Sequence, residues 1–147
     1  MRRTLRLMLG VTLLEVMLVL AIVSLIILMS VRYYQSTTTA SQTQQLLGII
    51  SAVTAAADNL SLGTAAGYGN VTSGNMGAIV GASNMTSPWG GPITFSSANS
   101  TTYTVTIPSV PAGVCTAVKI KLQTNPKFNP PSACASGNFV YSYNSST

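Results

Sequence analysis

The chain has 147 residues, 47% of them hydrophobic and only 6% charged, with seven basic, two acidic and no histidine side chains. With Glu15 and Asp58 as its only acidic side chains, it lacks the parts for general acid–base catalysis, a hydrolytic triad, a carboxylate dyad or an acidic calcium loop. Of the net charge of +5, three units come from Arg2, Arg3 and Arg6; residues 11–147 carry four basic and two acidic side chains, a net +2 that argues poorly for nucleic-acid binding.

Residues 1–31 run from this basic start into apolar sequence that reaches Val31. Between Val16 and Val31 the only polar side chains are Ser24 and Ser30. With Val11 to Leu14 added, the run reaches the roughly 20 residues needed to cross a bilayer. Three arginines before it and Arg32 after it predict the N-terminus in the cytoplasm and the C-terminus outside. An ordinary secretory signal peptide fits the basic start. It fits poorly with Glu15, with the long apolar run and with the lack of an A-x-A-like site before Arg32. A plain single-pass anchor fits the length but leaves Glu15 unexplained, since a carboxylate in a membrane segment costs about 2.5–3.5 kcal/mol.

The string Gly10-Val11-Thr12-Leu13-Leu14-Glu15-Val16, set between a basic leader and an unbroken apolar run, resembles the processing site of type IV prepilins. That resemblance implies cleavage between Gly10 and Val11 by a prepilin peptidase, with the apolar helix kept on the product. Val11 becomes the mature N-terminus and the site of N-terminal modification, and Glu15 becomes the fifth mature residue. In this family the glutamate is thought to neutralise the N-terminus of a neighbouring subunit during filament assembly. Physically, a carboxylate in apolar surroundings must find a cation or become neutral, and cleavage would create an α-ammonium at Val11. The resemblance further implies identical subunits in a helical homopolymer, an inner-membrane assembly platform and accessory minor pilins as partners. It implies no cofactor and no specific nucleic acid. The precursor would reside in a bacterial inner membrane and the product in an extracellular pilus. Three segments follow: a leader at 1–10, an apolar transmembrane and assembly segment at 11–32, and a globular domain at 33–147.

No proline occurs between Met1 and Pro88, so a helix can continue past the apolar run. Residues 33–45 are polar, and Thr37-Thr38-Thr39 has weak helix propensity. Leu46, Ile50, Val53, Ala57 and Leu60 then recur at steps of three or four, which places them on one helical face. A helix from about Val11 to about Leu62 is expected, apolar all round in its first half and amphipathic in its second.

Residues 63–91 hold eight of the twelve glycines and read as a loop-rich connection. Gly67-Tyr68-Gly69 lacks the GK[ST] ending of a phosphate loop and the context of a dinucleotide site. Ser87-Pro88-Trp89-Gly90-Gly91-Pro92 follows, with Trp89 read as a core anchor where helix meets sheet. A Pro-Trp-Gly-Gly stretch before a sheet resembles type IVb pilins of the thin-pilus group. Val11 as the first mature residue fits that class, whereas a ten-residue leader is short for it.

Alternation then predicts four strands. Ile93 and Phe95 alternate with Thr94 and Ser96; Tyr103, Val105 and Ile107 alternate with threonines, across a turn at residues 97–101. Val118, Ile120 and Leu122 alternate with Lys119 and Lys121, and Phe139, Tyr141 and Tyr143 with Val140 and Ser142. Lys119 and Lys121 are thereby expected on one strand face near Lys127, as a solvated face or subunit contact. Cys115 and Cys134 read as a disulfide in an exported protein, and zinc is a poor alternative without histidine. The expected fold is α+β, a long N-terminal helix on a small antiparallel sheet, and the resemblance implies the pilin fold. A minor pilin or pseudopilin of a secretion or DNA-uptake machine, and a membrane-anchored binding module, are the alternative functions.

Overall fold

The computed structural model describes residues 12–81, 85–130, 134 and 137–146. The chain divides into two compact units, residues 1–38 and 39–147.

Helix α1 (Leu13–Leu62) begins two residues after the expected start and ends where expected. In the first unit its side chains are exposed on every side: the large apolar residues from Leu13 to Val31 are 44–75% exposed. It continues through the threonine triplet. There the Thr37 and Thr38 hydroxyls donate to the carbonyls of Tyr33 and Tyr34, at 3.0 and 2.9 Å. Such back-bonding keeps a β-branched polar run compatible with helix.

In the second unit α1 packs on a four-stranded antiparallel sheet, an α+β layout. Leu46, Ile50, Val53 and Ala57 are buried as the spacing requires, Thr43 and Ala56 join them, and Leu60 is half-buried against the same core. The strands are β1 (Thr94–Ser97), β2 (Thr102–Ile107), β3 (Phe128–Asn129) and β4 (Phe139–Asn144), in spatial order β1-β2-β4-β3. Val105 pairs with Phe95 on one side and Tyr141 on the other. Alternation therefore puts Phe95, Tyr103, Val105, Ile107, Phe139, Tyr141 and Tyr143 into the core. The opposite face carries serine and threonine, and the Thr104 and Ser142 hydroxyls lie 3.0 Å apart across it. Between β1 and β2, Asn99 Oδ1 accepts from the backbone N–H groups of Thr101 and Thr102, at 3.0 and 2.8 Å, which closes the expected turn.

Two expectations are overturned. Residues 118–122 form no strand; they end helix α3 (Ala112–Leu122). Val114, Cys115, Val118 and Leu122 supply one buried helical face, while Ile120, the middle member of the apparent alternation, is 61% exposed. A period of 3.6 over eleven residues outweighs a period of two over five. Lys119 and Lys121 therefore do not share a strand face. They lie about 200° apart around a helix, in its last turn, where cations suit the helix dipole. The fourth strand is instead the short β3. The glycine-rich connection also contains a 3₁₀ turn at Gly67–Asn70 and helix α2 (Ser73–Val80), capped by Thr72 Oγ1 accepting from the Asn75 N–H at 3.4 Å. Burial of Met76 offsets the weak propensity of Gly74 and Gly77.

The Pro-Trp-Gly-Gly stretch is a tight turn. The Ser87 N–H donates to the Gly91 carbonyl and the Gly90 N–H to the Ser87 carbonyl, both at 2.9 Å. Gly91 has φ +86°, and a Cβ there would meet Pro108 Cγ at 3.0 Å, so both conformation and space call for glycine. The buried Ser87 hydroxyl donates to the Pro108 carbonyl at 2.9 Å, and Trp89 is half-buried against the core.

Tyr103 and Tyr141 are fully buried, yet among the described residues their hydroxyls have no hydrogen-bond partner. Thr54, which lies beside both, donates to the Ile50 carbonyl at 2.8 Å, so it can meet a tyrosine hydroxyl only as an acceptor. Leu46→Ala should lower the unfolding free energy of the oxidised protein by about 2–5 kcal/mol. Tyr103→Phe should leave it unchanged or raise it by up to about 1 kcal/mol, because no bond is lost with the hydroxyl. Urea unfolding checks both, and a clear loss for Tyr103→Phe would show that the hydroxyl is bonded.

Candidate functional site

The processing positions Gly10 and Val11 lie outside the described residues, which begin at Thr12. Glu15 stands in the first turn of α1 and is exposed. Its backbone N–H donates to the Thr12 carbonyl at 3.0 Å and to Thr12 Oγ1 at 3.3 Å. Thr12 thus caps the helix, and Thr12-Leu13-Leu14-Glu15 has the T-x-x-E form of a capping box. The signal was present in the sequence, as a threonine three residues before an acid at the head of an apolar run. The cap gives the carboxylate a local reason for its position: negative charge is favoured at the positive end of a helix.

On the same side of the helix, Glu15, Val16, Val19 and Leu20 border a shallow depression of about 290 Å³. Among the described residues, one carboxylate and three aliphatic side chains line this hollow. A cation placed there would meet a single negative partner and no competing donor from Val16, Val19 or Leu20. The Ser24 and Ser30 hydroxyls return to the helix, donating to the carbonyls of Ala21 and Ile26 at 2.8 and 2.9 Å. Their polarity is therefore spent inside the helix, and the segment from Val16 to Val31 presents an aliphatic exterior.

The other acidic residue, Asp58, serves the fold of the second unit. Tyr68 Oη donates to Asp58 Oδ1 at 2.5 Å, and the Tyr68 N–H donates to the Ser100 carbonyl at 3.0 Å. A Cβ at Gly67 would lie 2.6 Å from the Ser100 oxygen, so Gly67-Tyr68-Gly69 is a close-packed turn that inserts a tyrosine. Its ring lies 5.3 Å from Tyr103 and 5.8 Å from Tyr143. Burial, then the bond to Asp58, pushes the Tyr68 hydroxyl well above its usual range; burial does the same to Tyr103 and Tyr141. These phenols stay neutral at physiological pH.

Cys115, buried on α3, and the half-buried Cys134 form a disulfide with Cα atoms 5.8 Å apart. It ties α3 to the segment ahead of β4. Among the described residues no group of three or more His, Cys, Asp or Glu side chains could hold a metal ion. Comparison with known proteins returns no matching family model, no matching curated protein and no matching solved structure.

Breaking the disulfide should cost about 3 kcal/mol, given the 19-residue separation of its cysteines. Cys134→Ser should therefore lower the melting temperature, and reductant should bring the parent protein down to the same value. A variant that melts with the oxidised parent would refute the constraint. The tyrosines give a second expectation. Their folded pKa values exceed the unfolded value near 10, so the stability they confer is complete below about pH 10. It is lost as pH climbs through the raised folded values. Urea midpoints should hold level to about pH 10 and fall above it, less steeply in Tyr68→Phe.

Proposed function

We propose that this chain is the precursor of a type IV pilin, a structural subunit of a bacterial surface filament rather than an enzyme. The observation that carries the reading is Glu15: a carboxylate heading an apolar helix that nothing in its own unit buries. The leader at 1–10 directs the chain to a prepilin peptidase, which cuts between Gly10 and Val11 on the cytoplasmic side of the inner membrane. The new α-ammonium of Val11, or its methylated form, is the cation that a neighbour's Glu15 accepts as the apolar helices leave lipid and bundle. The aliphatic hollow beside Glu15 suits that exchange, because an ion pair removed from water is stronger than one left in it. The assembly platform and minor pilins act on residues 11–32 during insertion into the filament. The disulfide-linked domain forms the outer surface and serves attachment, conjugation or a related role. Its alternation of serine and threonine outside with aromatics inside supports such exposure.

The Thr12 cap favours a second reading, a membrane-anchored domain in which Glu15 serves only its own helix. The two readings part at residue 10. On the pilin reading, Gly10→Ala accumulates an uncleaved precursor and Glu15→Leu is cleaved but yields few or no filaments. Mass spectrometry of the membrane-bound and sheared surface fractions reads both. An exported parent protein that keeps residues 1–10 would sink the pilin reading and leave the anchor, whereas a wild-type filament yield from Glu15→Leu would sink the assembly role of Glu15 alone.

A further inference from the structure

The exposed apolar helix ends in an abrupt change of chemistry. Val31 is followed by Arg32, Tyr33 and Tyr34, and the two tyrosines are 77% and 73% exposed. These are the first aromatic residues of the chain, and no tryptophan or phenylalanine precedes them. Consecutive helical positions point about 100° apart, so the three side chains spread around the helix as a collar instead of forming a stripe. Helical Cα–Cβ bonds tilt toward the N-terminus, which leans both rings back toward the apolar block. Immediately beyond, Thr37 and Thr38 satisfy the Tyr33 and Tyr34 carbonyls, and the sequence turns polar.

We propose that Arg32, Tyr33 and Tyr34 are a headgroup-level collar that sets the depth of α1 in a lipid bilayer, holding Glu15 at the opposite hydrocarbon boundary. The proposal rests on the membrane-inserted precursor described above and adds where in the bilayer each polar residue lies. Its occupant is lipid, and three observations favour lipid over a protein groove. The apolar residues face every direction instead of one. The serines within the segment bond to their own backbone, so no hydroxyl calls for a partner. From Glu15 to Tyr34 the helix rises about 28 Å, which matches a hydrocarbon core of about 30 Å. Amphipathic rings and a long cationic side chain are the groups that settle at a membrane–water boundary. With the collar at one boundary, Glu15 reaches the other. It then keeps contact with water and headgroups while its helix N-terminus favours the charge. The collar thus places the carboxylate at the hydrocarbon boundary instead of at the midplane.

The test uses the full-length precursor in phosphatidylcholine vesicles with some phosphatidylglycerol, with tryptophan as a depth probe read by brominated lipids. Tyr34→Trp and Ile22→Trp are compared, and the Trp89 signal of the parent is subtracted. Both positions are exposed, so neither substitution disturbs a packed core. Emission from Tyr34→Trp should be lost mainly to bromines near the ester end of the acyl chain, and that from Ile22→Trp mainly to bromines near its terminus. Adding Tyr33→Ser and Tyr34→Ser to Ile22→Trp should shift its quenching away from the chain terminus. Quenching of Tyr34→Trp as deep as that of Ile22→Trp, no quenching of Tyr34→Trp at any depth, or an unmoved Ile22→Trp profile in the triple variant would overturn the collar. None of these readouts needs cleavage or polymerisation. The collar can therefore fail while the filament reading stands, and Gly10→Ala can mature normally while the collar stands.

Discussion

A helix that is apolar on all sides cannot be satisfied by a small protein packed against one of its faces. From Leu13 to Val31 the large side chains remain 44–75% exposed, and a surface of that length left in water would drive association at once. Everything else in the first unit answers to this constraint. Its serines return their hydroxyls to the helix, its charged residues stand at the ends, and its cap is placed where the apolar run begins. Lipid covers every direction at once, and so would other copies of the same helix. The proposed life of the chain is a passage from one to the other.

The second unit solves the ordinary problem. Its sheet has one aromatic face and one hydroxyl face, and the stripe of α1 from Thr43 to Ala57 closes the aromatic side. The core is rich in tyrosine, and two of its hydroxyls go unpartnered among the described residues. Leaving such groups unbonded costs stability. Tight ring packing, with Tyr103 5.2 Å from Tyr143 and Phe128 5.2 Å from Tyr143, offsets part of that cost. The disulfide adds a constraint that does not depend on core volume, which matters for so small a domain.

How far this could be read in advance depended on the length of each pattern. The stripe through Leu46, Ile50, Val53 and Ala57 spans several turns and could mean only a helix face. The alternation of Tyr103, Val105 and Ile107 with threonines, next to an Asn-Ser-Thr turn, could mean only a strand of a hairpin. Val118, Ile120 and Leu122 were too short a run to separate the two periods. Their helical partners Val114 and Cys115 sat behind Pro111, Ala112 and Gly113, which carry no pattern. Helix α2 was hidden by its glycines, since Met76 reveals its role only through burial. The bond between Tyr68 and Asp58 depends on a turn at Gly67 with φ +56°, a geometry that spacing does not encode. Glu15 was legible because its chemistry clashes with its surroundings. The cap role of Thr12 was missed, although the T-x-x-E pattern it forms with Glu15 stands in the sequence.

The cap and the proposed ion pair are compatible uses of one carboxylate, because they concern different atoms and different moments. The cap engages the Glu15 backbone N–H with Thr12, and leaves the side-chain oxygens for another cation. Charge at a helix N-terminus is worth a few tenths to about 1 kcal/mol when exposed, too little to hold a carboxylate against a desolvated partner charge. A boundary position in lipid therefore leaves the Glu15 side chain beside water and headgroups. Only a setting without water makes the ion pair the stronger contact. The strength of that pair would then depend on how completely neighbouring helices exclude water around Val16, Val19 and Leu20. The aliphatic exterior around the carboxylate is thus as much a part of the proposed assembly site as the carboxylate itself.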